Sequence, residues 1–145
     1  MMIAIGCDHA ATALKEELKA RLLGQGQEIQ DFGVSAGEKA DYPAIALAVS
    51  EAVAGGQCAL GVLLCGTGVG MSIAANKVRG IRAACCSEPY SARLSRQHND
   101  SNVLCMGARV VGPELAGMIL DEWLGARFEG GRHATRVDMI KGMEG

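Results

Sequence analysis

Two textures alternate along this chain. Some runs are apolar without interruption, as in "MIAIG" at 2–6 and "ALGVLLC" at 59–65, and between them hydrophobic residues return every third or fourth position. A short run with no polar face reads as a strand covered on both sides, the pattern of a parallel sheet. From about Ala11 to Leu23, Leu14, Leu18 and Leu22 share one helical face, with Lys15, Glu16, Glu17, Lys19 and Arg21 opposite. Gly24 and Gly26 stop that helix, and "EIQDFG" gives a second strand. Pro43 opens a helix running through Ala44 to about Ala54. After the glycine loop that follows "ALGVLLC", "VGMSIAANK" forms a helix, "GIRAACC" a fourth strand and "EPYSARLSRQH" a helix opened by Pro89. "NVLCMGARVVG" reads as a fifth strand, followed by a helix from about Pro113 to Leu124.

Five β-α units in strict alternation predict an α/β fold: a Rossmann-like three-layer α/β/α sandwich with a five-stranded parallel sheet and right-handed crossovers. At 145 residues the chain fits one domain, residues 1–145. A glycine hinge leads into the tail, residues 130–145, where Val137, Ile140 and Met143 fall on one helical face. That stripe needs a cover, from its own core or from another subunit, and packing on a partner subunit is the expectation.

Composition narrows the function classes. Hydrophobic residues make up 49% of the chain and aromatic ones 3%, so the core is built from small aliphatic side chains. A net charge of −2, with both signs mixed along the sequence, gives no general footprint for nucleic acid or an anionic membrane. The opening "MMIAIGCDHAA" has no signal-peptide character and no run reaches membrane-span length, so a cytoplasmic protein is expected. Six cysteines without a C-x-x-C pair fit reduced thiols. The histidines and cysteines show no metal-ligand spacing, and neither a metal nor another cofactor is expected.

In such a sheet, ligands bind beyond the carboxyl ends of the strands. There the sequence places Cys7, Asp8 and His9 after strand one, Cys65 to Gly70 after strand three, and Gly107 to Arg109 after strand five. The loop Gly66-Thr67-Gly68-Val69-Gly70 reads either as a cradle of backbone N–H groups for an anion or as a tight β-α turn with glycines for close packing. Cys65, just before it, is either a small buried hydrophobe or a thiol whose thiolate the helix N-terminus stabilises. His98 and Asn99, at the end of the "SARLSRQHND" helix, offer an acid/base beside an amide donor, or a favourable helix-end cation. His9 is equally a loop histidine with its own partners. Arg132 and Arg136, four apart with His133 beside the first, form either a phosphate clamp or a solvated basic surface.

Together "GCDHAATALK", "DYP", "LLCGTGVGMSIAANK", "IRAACCSEPYSARLSRQHNDSNVLCMGAR" and "EGGRHATRV" resemble the type B ribose-5-phosphate isomerase family, which includes allose-6-phosphate and galactose-6-phosphate isomerases. The resemblance spans nearly the whole chain. It implies a metal-free homodimer, alone or paired into a tetramer, that interconverts ribose 5-phosphate and ribulose 5-phosphate in the pentose phosphate pathway, with sites at the subunit interface. By that resemblance Cys65 is the catalytic base and His98 the ring-opening acid/base. Asp8 and His9 contact sugar or phosphate, and Tyr42 of "DYP" lies near the sugar. Gly66, Thr67, Gly68, Val69, Gly70 and Asn99 hold developing negative charge, while Arg109, Arg132 and Arg136 bind mainly the phosphate. One branch of the family uses a glutamate just after the glycine loop instead of the cysteine; Met71 stands there in this chain and cannot take a proton.

The implied chemistry moves a carbonyl from C1 to C2 through an enediolate, which needs a base at carbon and fixed dipoles at oxygen. The competing expectations are a hexose-phosphate isomerase of the same family and a non-catalytic phosphosugar-binding subunit.

Overall fold

The structure, a computed structural model, describes residues 1–144. The elements follow in the order β1 (Met2–Cys7), α1 (Thr12–Gly24), β2 (Glu28–Asp31), α2 (Tyr42–Ala54), β3 (Leu60–Cys65), α3 (Val69–Ala75), β4 (Ala83–Cys85), α4 (Pro89–Asn99), β5 (Val103–Gly107), α5 (Pro113–Gly125) and α6 (Arg132–Lys141), with a short 3-10 turn at Gly142–Glu144. All five strands are parallel, in the spatial order β2-β1-β3-β5-β4. The expected five-stranded α/β/α sandwich is therefore what forms.

Period-two alternation within the strands divides the core into two layers. Ile3, Ile5, Val62, Leu64, Leu104 and Met106 face α1, α4 and α5, where Leu14, Leu18, Leu22, Ile119, Leu120 and Trp123 cover them. Ala4, Leu63, Cys65, Val103 and Cys105 face α2 and α3, against Val49, Val53, Met71 and Ala75. The small residues dictated by this sequence let α2 come close. A Cβ on Gly61 would stand 2.8 Å from Val49 Cγ1, and one on Gly6 would stand 2.6 Å from Ile45 Cγ2.

The direction in which successive strands are added to the sheet reverses between β1 and β3. From β1 the chain crosses over α1 to β2 on one side, and from β3 it crosses over α3 on the other face to the far edge. The carboxyl ends of β1 and β3 thus flank a topological switch point, where an open α/β sheet leaves a crevice.

Three local expectations change. Lys15 is not on the solvent face of α1: it is 1% exposed, with Nζ 3.0 and 2.9 Å from the two carboxylate oxygens of Asp31. The fourth strand is shorter than "GIRAACC", because the Asn76 side chain pairs with both the N–H and C=O of Ala83 and closes that edge. Of the apolar stripe in the tail only Val137 is covered by its own chain, at 2% exposure, while Ile140 and Met143 are 42% and 79% exposed. Gly145, the last residue of the 130–145 tail, lies outside the described residues.

Candidate active site

Cys65 is the last residue of β3, and its sulfur accepts a 3.1 Å hydrogen bond from the Gly68 N–H. The chain can curl back on its own side chain because Gly68 has φ +82°, a conformation costly for any residue with a Cβ. The loop is also pressed flat onto the end of β5. A Cβ on Gly68 would lie 2.8 Å from the Met106 carbonyl carbon, and one on Gly107 would lie 2.6 Å from the Thr67 backbone. The glycines therefore serve close packing and at the same time aim the Gly68 N–H at the Cys65 sulfur, so close packing does not exclude a backbone donor here.

Other expected residues gather at this edge. The Asp8 N–H bonds to the Leu64 carbonyl at 3.1 Å, fixing Asp8 beside the end of β3, and one Asp8 carboxylate oxygen accepts from the Ala10 N–H at 3.0 Å. The Arg109 N–H bonds to the Gly66 carbonyl at 3.0 Å, and its guanidinium runs beside Gly66, where a Cβ would be 3.5 Å from Nη1. The Tyr42 ring lies against Gly70. His9 is exposed and lines a cavity of about 310 Å³ with Lys39, Ala40 and Asp41. The hydroxyl of the exposed Thr67 accepts from the Val69 N–H at 3.2 Å.

The remaining expected residues are elsewhere. His98 and Asn99 close α4, which runs antiparallel to the strands and delivers the chain to the amino end of β5. There the Asn102 carbonyl accepts from the N–H of Gly61, four residues before Cys65, about 13 Å back along the sheet. His98 stacks face to face on His133 of α6, with ring centroids 4.1 Å apart and planes 7° from parallel. Glu129 Oε1 lies 3.7 Å from His98 Nε2 and 3.6 Å from His133 Nε2. Arg132 and Arg136 are exposed on the same helix. Gly130 and Gly131, at φ +69° and +56°, make the turn that docks α6 on α4, so in this structure the tail is folded back rather than swung free. The Asn99 carbonyl accepts from Arg82 Nε at 3.0 Å, and Asn99 borders a cavity of about 500 Å³ with Ile140 and Met143.

Sequence spacing offered no metal pair, yet among the described residues His98, Glu129 and His133 bring ligating atoms within 4.8 Å of one another. The arrangement does not suit an ion. Imidazole donates its lone pair in the ring plane, so an ion midway between two stacked, parallel rings sits out of both planes. Arg132 and Arg136 add repulsion. Desolvation holds the His133 ring below its ordinary value; His98, Arg132 and Arg136 push the same way, and Glu129 opposes them.

The stacking of His133 on His98 escaped sequence reasoning, because the two rings lie on different helices. The i,i+4 spacing of Glu129 and His133 was the only local signal. Among the other cysteines, burial pushes the Cys105 thiol well up and the Cys86 thiol up to about 11, as expected of core residues.

The ribose/galactose isomerase family model matches residues 3–140. The chain belongs to the ribose/galactose isomerase family. It is 60% identical over 142 residues to ribose-5-phosphate isomerase B of Escherichia coli, covering 98% of this chain and 95% of that one. It is 46% identical to a D-erythrulose-4-phosphate isomerase of Pectobacterium atrosepticum, over 97% of this chain and 93% of that protein. A solved ribose-5-phosphate isomerase B from Clostridium thermocellum superposes with a TM-score of 0.97 at 54% identity, covering 99% and 97% of the two chains. That likeness to a member of the family extends over both edges of the sheet.

Proposed function

We propose that this family member is an aldose-ketose isomerase that interconverts D-ribose 5-phosphate and D-ribulose 5-phosphate, acting as a cytoplasmic homodimer. The observation that carries the reading is the sulfur of Cys65, held at the switch point by the Gly68 N–H, with the Arg109 guanidinium lying beside the next residue, Gly66. In this reading Cys65 removes the C2 proton of the open-chain aldose and returns it to C1, while a proton passes from the C2 hydroxyl to O1. The carbonyl moves without any net change in composition. Negative charge on O1 and O2 of the enediolate is met by those N–H groups of the Gly66–Gly70 loop that are not engaged with the Cys65 sulfur or the Thr67 hydroxyl, and by the Asn99 amide, fixed before the reaction begins.

Pentose phosphates rest as furanoses. His98 takes the proton of the anomeric hydroxyl and supplies one to the ring oxygen, opening the ring before isomerisation. Arg109, Arg132 and Arg136 hold the phosphate, with Asp8, His9 and Tyr42 along the sugar, so that the reacting carbons face the sulfur. Cys65 and His98 lie at opposite edges of one chain, which supports a site assembled from two copies. Because the loop leads into a helix of only 7 residues, directed N–H groups rather than a long helix dipole carry the charge stabilisation.

The test is turnover of purified Cys65→Ala. It is expected to bind ribose 5-phosphate and to lose at least about a thousandfold in kcat. Near-normal turnover removes Cys65 as the base, and an intact chain that binds but never turns over establishes a non-catalytic phosphosugar subunit instead. Comparing ribose 5-phosphate with allose 6-phosphate and D-erythrulose 4-phosphate fixes the chain length preferred.

A further inference from the structure

We propose that His133 is the positioning residue for His98: its buried ring is the platform that fixes the orientation of the His98 imidazole and ties it to the phosphate-binding helix. This deepens the proposed function and rests on His98 being the ring-opening group.

Three observations carry it. First, His98 ends α4, and a side chain at a helix end is held by little of its own helix. Its ring nonetheless has a defined plane, because it stacks on His133 at 4.1 Å and 7°. Second, His133 is itself immobilised. It is 8% exposed, one turn before the buried Val137, on a helix whose turn is anchored by the Glu129 N–H donating to the Gln97 carbonyl at 3.0 Å. Third, one carboxylate oxygen of Glu129 lies 3.7 Å from His98 Nε2 and 3.6 Å from His133 Nε2, so a single negative charge attends both rings.

Desolvation first, and then the neighbouring charges, favour a neutral His133 ring. Arg132 and Arg136 from α6 disfavour a proton on His133, and Glu129 favours one. On α4, Arg96 is engaged with Asp100 at 3.2 Å, and Arg93 faces Glu122 of α5 at 3.9 Å. A neutral, desolvated imidazole is a flat surface that does not repel its neighbour when His98 takes up a proton. His133 also lies between Arg132 and Arg136 in sequence. A phosphate gripped by those arginines therefore bears on the same helix that sets the plane of His98, and binding at one end of the sugar orients the acid/base at the other.

The experiment uses the full chain and three variants, His133→Leu and His133→Gln, which remove the ring, and His133→Phe, which keeps a flat one. With 3 histidines in the chain, the imidazole proton resonances are assignable by NMR without substrate. His98 is expected to carry a ring-current shift in the wild type and in His133→Phe, and to lose it in the other two. On ribose 5-phosphate, kcat falls about tenfold or more in Leu and Gln with KM within about twofold, while Phe stays within about threefold of wild type. D-erythrulose 4-phosphate, whose terminal oxygen is phosphorylated and cannot close a furanose, loses little in any of them.

An unchanged His98 resonance in both ring-removing variants overturns the proposal. So does a Phe variant as impaired as Gln, or equal losses on cyclic and open-chain substrates. Should Leu fail to fold, Gln gives the same readout. A wild-type protein without isomerase activity overturns the functional reading instead, and leaves the resonance test standing.

Discussion

Cys65 and His98 stand at opposite ends of one parallel sheet. Cys65 closes β3 at its carboxyl edge, whereas His98 closes α4 beside the amino end of β5, where Asn102 pairs with Gly61. The separation is a consequence of topology: in a β-α-β crossover the helix runs back against the strands, so a residue that ends a helix and one that ends a strand belong to different edges. A catalytic site that uses both takes one residue from each of two copies, and a twofold axis then builds two such sites per dimer.

This arrangement predicts complementation. Cys65→Ala and His98→Asn are each expected to be inactive on ribose 5-phosphate when purified alone. Unfolded together and refolded as a mixture, half of the dimers pair one of each kind, and one of their two sites carries both wild-type residues. The mixture should therefore recover about 25% of wild-type activity. Size-exclusion chromatography establishes the dimer, and the assay reads the recovery. Activity no greater than that of the separate variants shows that both residues serve a site from within the same chain.

Two glycines at the candidate site separate packing from substrate contact. A Cβ on Gly107 meets the Thr67 backbone at 2.6 Å, and backbone cannot step aside without moving the loop that holds the sulfur. Gly107→Ala is expected to destabilise the fold by about 1–3 kcal/mol and to lower kcat sharply. A Cβ on Gly70 meets Tyr42 Cε1 at 2.5 Å, but that ring belongs to a side chain 40% exposed and able to swing outward. Gly70→Ala should cost less than about 1 kcal/mol in a denaturant melt while raising KM several-fold. The reverse ranking would place Tyr42 in the structural core rather than along the sugar.

The sheet and its helices were legible because the chain marks them redundantly: apolar runs give the strands, Pro43 and Pro89 open helices, and glycines close them. The neighbourhood of Cys65 was legible too, since its residues follow strand ends and meet at one edge by the logic of the fold. Strand order was not legible. Nothing in "GIRAACC" says that β4 takes the edge and leaves the place beside β3 to β5. The cluster around His98 was hidden for the same reason, because α4 and α6 meet only after the turn at Gly130 and Gly131. Lys15 misled for a different reason: a helical wheel sorts residues by polarity, and the partner that permits its burial, Asp31, lies on β2.

That buried pair gives the last prediction. Burial works against the Asp31 carboxylate, but Lys15, the Gly33 N–H and Lys19 outweigh it and hold its pKa below the ordinary 3.8. Burial likewise works against the Lys15 ammonium, and Asp31 more than compensates, raising it above 10.5. The carboxylate's contribution is present above its unfolded value and is lost as pH falls through the lower folded one. The ammonium's contribution is present below its unfolded value and is lost as pH rises through the higher folded one. The pair thus supports the fold across the whole range from mildly acid to alkaline. Asp31→Asn leaves an ammonium 1% exposed with only Glu16, 3.6 Å away and largely in water, as counter-charge, and is expected to cost about 3 kcal/mol at neutral pH. Lys15→Met leaves Asp31 with Lys19, 3.1 Å away, and part of its side chain in water, so it should cost no more than about 1 kcal/mol. Urea melts from pH 3 to 10 check both. Equal costs for the two variants, or an Asp31→Asn loss that does not shrink toward pH 3, would show that the pair contributes through packing rather than charge.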